Sequence, residues 1–590
     1  MHRLLELLKT TPAVDDILKA EEGGKTPCSV FGVCENARAQ LVAATYRGGT
    51  AFVLTYQDMS AGHLAAQLSA LLPETPVFRM PPRDFISGAD ASSLEMLSRR
   101  APVLEALCEG KPCIVVAGVE ALQYRLLPRE AWRAFSIDLE SGGVIEPDDL
   151  CAKLSQAGYA RVDQVEGPGQ FARRGGIVDV FSLGRNMPYR IEFFDDEVDS
   201  IREFDVISQR SDEMLETCRI LPASEVRLTD AAREKAIAKA NRRVQKLLPE
   251  CDGDEERLRG LERLAEQIAR GSQEELLFAV SGEKHAVLTD YLPEDAQIYV
   301  DEPVRTAGRM DECAQNFAMR VTEALENGTA LKSLSAIGAD TNALFSALRE
   351  HPNIVCFHAF ERTGGRLRPK TVVRMQTRNV LTVQGRVVFL AEQMQIWCRD
   401  GYSVLLFCAD EAAAEQLSRE LEGNGVSIGN GEGRVSIVAE NLLAGAEYPD
   451  EKLAFVSARE TLSIQKTRKH RAARSSNTKK ISDFSDLVVG EAVVHEQHGI
   501  ARYDGIVQME IDGKLIVAVH PTRGVDIGAM DFIHDQLIAA RDRGCAVLLI
   551  SADLDEILRL SDRMAVIYEG KIMGYEDPAN PDINRVSLLM

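Results

Sequence analysis

An alternation of strands and helices that stops before residue 138 and restarts after residue 222 is the feature that most constrains this chain. Cys28 to Val33 reads as a strand, Ala37 to Tyr46 as a helix, Thr50 to Thr55 as a strand and Ala61 to Leu71 as a helix, with further strands at Val77 and Cys113 to Ala117. That rhythm predicts a parallel sheet covered by helices. Two short helices precede it within residues 2 to 20, the second opened by Thr11 and Pro12. After the interruption, Ala231 to Leu248 and Asp254 to Gly271 are helical, the latter with Leu258, Leu261, Leu264 and Ile268 on one face. Sheet patterning resumes at Leu276 to Val280, Ala286 to Thr289 and Gln297 to Val300. Residues 1–137 and 223–335 are therefore expected to close into one lobe, with residues 138–222 inserted in it.

The insertion has a different texture. From Gly158 to Asp205, short runs of β-branched and aromatic residues (Ile177 to Phe181, Tyr189 to Phe194) alternate with Gly167-Pro168-Gly169, Gly175-Gly176 and Gly184. This predicts a small antiparallel domain. Arg161, Arg173 and Arg174 lie among Tyr159, Phe171 and Phe181, and planar guanidinium groups beside aromatics recur at binding hot spots. The stretch reads either as a docking surface or as an ordinary β module with solvated arginines.

The loop after the first strand, Gly32 to Ala39, stands where a phosphate-binding loop would. Such a loop needs glycines so that backbone N–H groups can approach phosphate, then Lys for charge and a hydroxyl for Mg²⁺. Here the inner glycines are missing, Arg38 and Ala39 replace Lys and the hydroxyl, and Glu35 would repel phosphate. The loop is expected not to bind nucleotide, and no G-x-x-x-x-G-K-[ST] occurs anywhere in the chain. Asp301-Glu302 follows a strand, as the acidic pair of a nucleotide hydrolase does. It reads as the vestige of such a site, or as a plain turn.

Residues 336–465 form a further α/β unit, with a strand at Ser403 to Cys408, a helix at Asp410 to Leu421 and a glycine-rich turn region from Gly423 to Gly433. His351, Cys356 and His358 do not have metal-ligand spacing. The basic stretch 466–480, KTRKHRAARSSNTKK, is an exposed linker able to touch DNA. A net charge of −22 otherwise argues against a DNA-coating surface, because nucleic-acid affinity rests on phosphate neutralisation. The 12 cysteines lack a C-x-x-C pair and are expected to be reduced and mostly buried. No apolar run approaches a membrane span, and the N-terminal segment lacks a signal peptide's cleavage region, so the expected compartment is the cytoplasm.

The run Tyr159-x-Arg161, Phe171, Arg174-Gly175, Ile177-x-Asp179-x-Phe181, with the continuation RIEFFDDEVDSI, resembles the domain shared by UvrB and the bacterial transcription-repair coupling factors. The longer run PYRIEFFDDEVDSIREFDV favours the coupling factors. Ala172 and Gly176 stand where that pattern often has Arg and Asp. The resemblance implies that this domain docks the damage sensor UvrA, through Tyr159, Arg161, Phe171, Arg173, Arg174, Asp179 and Phe181. It also implies that the lobe around Gly32, Arg38, Ala39, Asp301 and Glu302 is a dead copy of the UvrB motor lobe. Within residues 481–514, Gly490, Val493-Val494-His495, His498-Gly499-Ile500, Tyr503 and Gly505 resemble the start of the coupling factor's CarD-like, RNA-polymerase-interacting barrel. That implies polymerase binding, through the β subunit, at His495, His498, Gly499, Ile500, Tyr503 and Gly505.

At Lys514 this pattern stops with the barrel half written, although Asp512-Gly513 signals a hairpin into Leu515 to Val519. Residues 515–590 instead resemble the C-terminal part of an ABC-transporter ATPase of the sugar or nucleoside importer type, on Pro521 to Asp526 and the LSDRMAVIYEGKI ending. Gly524 and Asp526 would belong to its D-loop. Val519-His520 and Ala552 replace the catalytic acidic pair and switch histidine, so this tail is expected not to hydrolyse ATP.

The fold class expected is thus α/β and multidomain: a degenerate P-loop NTPase-like lobe with an inserted antiparallel α+β domain, a second α/β domain, a truncated β-barrel and an ABC-like tail. The expected function is that of an adaptor in transcription-coupled repair, without a cofactor or metal and without catalysis. An ATP-dependent translocase or transport ATPase, and a non-functional chimeric reading frame, are the alternatives.

Overall fold

A computed structural model describes residues 3–83, 91–206, 208–251, 254–361, 365–380 and 387–461, and beyond these chiefly six short strands. The chain divides into two compact units, Met1–His470 and Arg471–Met590. In the first unit the chain lays down β1 (Cys28–Phe31), β2 (Thr50–Thr55), β3 (Val77–Met80) and β4 (Cys113–Gly118). It then makes β5 (Ile137–Glu140), β6 (Ala160–Arg161), β7 (Gln170–Arg174), β8 (Ile177–Phe181), β9 (Tyr189–Phe194), β10 (Glu197–Phe204), β11 (Ser211–Leu215) and β12 (Thr217–Ile220). It returns as β13 (Gln297–Asp301), β14 (Ile354–His358) and β15 (Thr371–Arg374).

The first sheet has the order β15-β1-β14-β13-β2-β4-β3 and is parallel at every pairing. Its central strands are apolar on both faces and buried along their length, as a parallel sheet covered by helices requires. β13 lies directly beside β2, so residues on either side of the insertion do share one sheet. The lobe is larger than expected: β14 and β15 belong to this sheet, not to the following α/β unit. The alternation of strand and helix says that a strand is parallel but not which sheet it joins.

Leu276 to Val280 is not a strand. It lies in the helix Glu274–Ser281, with two glutamates in the first turn and Gly282 at φ 83° ending it. Five apolar residues in a row fit a buried helix as well as a strand, and the capping residues decide. Ala286 makes one bridge to Leu126, and Leu288–Tyr291 is a 3₁₀ turn.

The insertion is a six-stranded sheet, β11-β10-β9-β8-β7-β6, antiparallel except for the β6/β7 edge. The helix Pro147–Gln156 contributes Leu150 and Leu154 to the same core as Phe171, Val178, Val180, Ile191 and Ile201 on its inner face. The antiparallel pair β5/β12 forms the stem that joins it to the lobe. That core is continuous with Leu104, Leu107 and Trp132 of the lobe. Gly184, at φ 75°, packs so closely on Pro102 of the helix Ala91–Glu109 that a Cβ there would sit 2.4 Å from its Cγ.

A second sheet follows, β16 (Arg378–Asn379), β17 (Ser403–Phe407), β18 (Val435–Val438), β19 (Ala446–Tyr448) and β20 (Leu453–Ser457), in the order β16-β19-β20-β17-β18. It packs on the lobe: Phe407, Tyr448 and Phe455 share a cluster with Val42 and Val116, and the Tyr448 hydroxyl donates to Gln40 Oε1 at 2.9 Å. In the second unit, β21 (Ala492–His495) pairs antiparallel with β22 (Gly499–Arg502), and β25 (Met564–Tyr568) with β26 (Lys571–Glu576). Between these pairs, β23 (Leu515–Val519) and β24 (Ala546–Ile550) run parallel. The described partner of Leu515–Val519 is the parallel strand β24, with Leu515 opposite Ala546, and the Asp512-Gly513 turn of the expected hairpin lies outside the described residues. The linker 466–480 lies outside the described residues. Among the described residues no helix is long and apolar enough to cross a membrane.

A buried ion pair also fastens the segment that follows the stem to the lobe. Arg100 donates from Nε and Nη2 to the two carboxylate oxygens of Glu225 at 2.6 and 3.1 Å, and from Nη1 to the Pro81 carbonyl at 2.5 Å. Burial pushes the Glu225 carboxyl up, but Arg100 and Arg83 outweigh it and hold the group below its ordinary value. Its folded-state value being depressed, the stability it contributes is present above the ordinary carboxylate range and is lost as pH falls through the folded value. Glu225→Ala, which leaves Arg100 buried and unpaired, is expected to cost about 3–5 kcal/mol at pH 7. Urea unfolding of both proteins should show the gap narrowing towards pH 3; a gap independent of pH would contradict the assignment.

Candidate functional site

The loop after β1 is closed by the protein itself. Gly32 has φ 83°, and a Cβ there would lie 1.9 Å from the Met375 carbonyl oxygen, so the chain at 375 is pressed onto the loop. Val33 N–H donates to the His358 carbonyl at 2.9 Å. At the start of the helix Glu35–Thr45, the N–H of Cys34 donates to Thr377 Oγ1 at 2.6 Å and that of Asn36 to Asn379 Oδ1 at 3.2 Å. In a working loop these donors face phosphate; here two side chains from more than 340 positions away take them.

Arg38 completes the closure. Its side chain is buried and turns towards β13, with Nη1 2.8 Å from Asp301 Oδ1 and Nη2 3.0 Å from Glu302 Oε1. Glu302 Oε1 also accepts from the Ala359 N–H at 2.8 Å, which holds Glu302 at a left-handed φ of 44°. Burial pushes the Asp301 carboxyl up to about 7 even against the pull of Arg38. Cation and acidic pair thus serve each other, and Ala39, buried beside them, brings no hydroxyl. His358 Nε2 lies 3.2 Å from Ser29 Oγ, and burial pushes its pKa down. Among the described residues no group of His, Cys, Asp and Glu could hold a metal ion.

The insertion presents a different surface. Arg161, Arg173 and Arg174, with Val162 and Asp163, line an open notch of about 530 Å³. Arg174 donates to the Asp163 carbonyl at 3.0 Å, and Arg173 pairs with Asp148. Arg161, exposed on the edge strand, makes no hydrogen bond or ion pair among the described residues. Tyr159, Phe171, Asp179 and Phe181 do not reach this surface. The Tyr159 hydroxyl donates to the Leu221 carbonyl at 2.6 Å, tying the domain to its stem. Phe171 is in the inner core. Phe181 packs with Val165, Ala172 and Phe204. Asp179 accepts both bonds of a bidentate pair from Arg190 at 2.7 and 2.8 Å. Of the seven residues picked out by sequence, three line the notch and four are buried in the domain behind it.

Residues 137–226 match the family model of the UvrB interaction domain, and residues 487–525 that of the CarD-like/TRCF RID domain. The chain is 30% identical over 529 residues to the transcription-repair-coupling factor of Bacillus subtilis strain 168, covering 87% of this chain and 45% of that protein. It is 27% identical over 509 residues to that of Staphylococcus aureus strain MRSA252, covering 83% and 43%. Its N-terminal part matches the transcription-repair coupling factors. The chain spans less than half the length of these relatives.

The matched UvrB interaction segment starts at the first residue of β5 and ends at residue 226, just after β12, and the notch falls inside it. The CarD-like match runs through residue 525, past Lys514, where the sequence resemblance was expected to end. Within it, His495 pairs with Gly499 and Val494 with Ile500 across β21/β22. His498, Tyr503, Gly505, Gly524 and Asp526 lie outside the described residues. Thr377 and Asn379, which close the loop, carry no signal in the sequence; only the fold brings them there.

An acid whose folded pKa is raised binds its proton more tightly when folded, so its contribution to stability is full below the ordinary carboxylate range and declines as pH rises towards 7. Asp301→Asn cannot titrate and should gain stability relative to the wild type between pH 5 and pH 8. Denaturant midpoints measured across that range check this, and parallel curves would show that Asp301 is not the titrating group.

Proposed function

We propose that this chain is an adaptor of transcription-coupled DNA repair, which docks UvrA through residues 137–226 and RNA polymerase, through its β subunit, with the CarD-like segment. The observation that carries the reading is the pairing of a closed loop with an open arginine notch. The lobe spends Arg38 on Asp301 and Glu302 and its loop amides on Thr377 and Asn379, so it works as a frame and not as a motor. The same frame holds Arg161 and Arg174 out to solvent within a domain that matches the UvrB interaction family. Guanidinium groups recognise carboxylates with paired, directional bonds, so the partner surface facing the notch is acidic. Residues 515–590, of which 515–525 also fall within the CarD-like match, are on this reading an ABC-ATPase-like fragment without turnover; the parallel pair β23/β24 followed by the hairpin β25/β26 is the support for it.

Calorimetry with purified UvrA tests the docking role. Arg161→Ala and Arg174→Ala are each expected to weaken binding by about 2 kcal/mol, the scale of a hot-spot arginine. Phe181→Ala is expected to act differently, lowering stability by about 3 kcal/mol through the cavity it leaves. Unchanged affinity in both arginine variants would refute the assignment.

A further inference from the structure

The end of the inserted sheet beside the notch carries two apolar side chains that the fold leaves uncovered. Phe194 is 78% exposed and Val144 74% exposed, far more than a sheet ordinarily allows residues of this kind. The ladder places them together. Phe194 is opposite Glu197 across β9/β10, and Glu197 is bridged to Val144, so the three lie in one row. Directly opposite residues in an antiparallel pair point to the same face. Phe194, Glu197 and Val144 therefore form one exposed strip, with Glu197 between the two apolar groups and free of ion pairs among the described residues.

The strip is continuous with the notch. Arg174 is opposite Ile177, and Ile177 is opposite Glu192, two residues before Phe194 and on the same face of the sheet. The turn Gly175-Gly176 touches the strip's own strand, since the Phe193 N–H donates to the Gly176 carbonyl at 2.8 Å. With strands about 4.8 Å apart and residues about 3.4 Å apart along them, Arg174 and Val144 are separated by roughly 20 Å. A standard interface of about 800 Å² per partner has a diameter of about 30 Å. An interface of that diameter is wide enough to hold the arginines, Phe194 and Val144 within one footprint.

We infer that Phe194 and Val144 are the apolar anchors of the docking face. The partner segment that meets them is aliphatic and carries a cation opposite Glu197, while the segment meeting Arg161 and Arg174 is acidic. The inference rests on the docking reading above and adds to it where the off-rate is set. Charged groups at a rim govern the approach of a partner and its salt dependence, whereas desolvated apolar anchors govern its departure.

Surface plasmon resonance with the full chain and purified UvrA, at several salt concentrations, separates the two. Phe194→Ser and Val144→Ser change exposed side chains and should leave thermal unfolding in place. Each is expected to raise the dissociation rate about tenfold without altering the salt dependence of association. Arg174→Ala should instead flatten that salt dependence. If Arg174→Ala weakens binding but both serine variants bind like the wild type, the anchors are wrong and the docking reading stands. If all three bind like the wild type, both fall. If the chain sediments as a dimer that Phe194→Ser dissociates, the strip is a self-association surface and the inference is overturned.

Discussion

The buried contact of Arg38 with Asp301 and Glu302 joins two points 263 and 264 residues apart in the chain, and the rest of the first unit is arranged so that it can form. For the end of β13 to face the start of the helix Glu35–Thr45, β14 must lie between β1 and β13, and the chain must leave the lobe after β4 and re-enter it. A charge moved out of water costs several kcal/mol unless it is paired and hydrogen-bonded. Here both sides of the pair are the protein's own. Because cation and carboxylates pair internally, the lobe needs no bound ion to neutralise this buried cluster.

A frame is useful to a docking domain only if the two do not move independently. The hydrophobic core runs without a break from the lobe's helix Ala91–Glu109 into the inner face of the inserted sheet. Arg100 and Glu225 add directional bonds across the joint, and Glu105 accepts from Trp132 Nε1 at 3.0 Å while lying 2.5 Å from Arg219 Nε of the stem. Apolar packing sets the distance between the two bodies, and the paired charges set their orientation. Domains joined only by flexible linkers would have to order their docking face on binding, at a cost in affinity. This one is held in place by the fold itself, as the proposed docking role requires.

Much of this was legible in the sequence, and the parts that were not share a cause. The alternation of strands and helices marked the parallel lobe and its interruption marked the insertion, whereas the pairing of Arg38 with Asp301 and Glu302 spans 263 and 264 residues and no local pattern announces it. Tyr159, Phe171 and Phe181 are neighbours of the arginines in sequence, yet Tyr159 bonds to the stem, Phe171 enters the inner core, and Phe181 is buried on the opposite face of the sheet by Val165 and Phe204. Phe194 ends the strand run Tyr189 to Phe194, and nothing in that run says that it is exposed. Whether a strand face is covered depends on what the chain lays over it later, and a local pattern does not contain that. Thr377 and Asn379 are the extreme case, since their role exists only because β15 lies beside β1.

The overall charge bears on docking less than its size suggests. A net charge of −22 would repel an acidic partner at long range, but at physiological ionic strength exposed charges are screened over about 8 Å. Within that distance the notch is decided by its own residues. Asp148 neutralises Arg173, and Arg174 donates to a backbone carbonyl, which satisfies a hydrogen bond without removing its charge. Asp163 also lines the notch, so three guanidinium groups against the carboxylates of Asp148 and Asp163 leave a local excess of one positive charge on an acidic protein. An acidic partner approaching the wrong face meets carboxylates, and one approaching the notch meets two guanidinium groups. The background acidity therefore works as discrimination between faces, and the apolar strip beside the notch is where an encounter so oriented can exclude water.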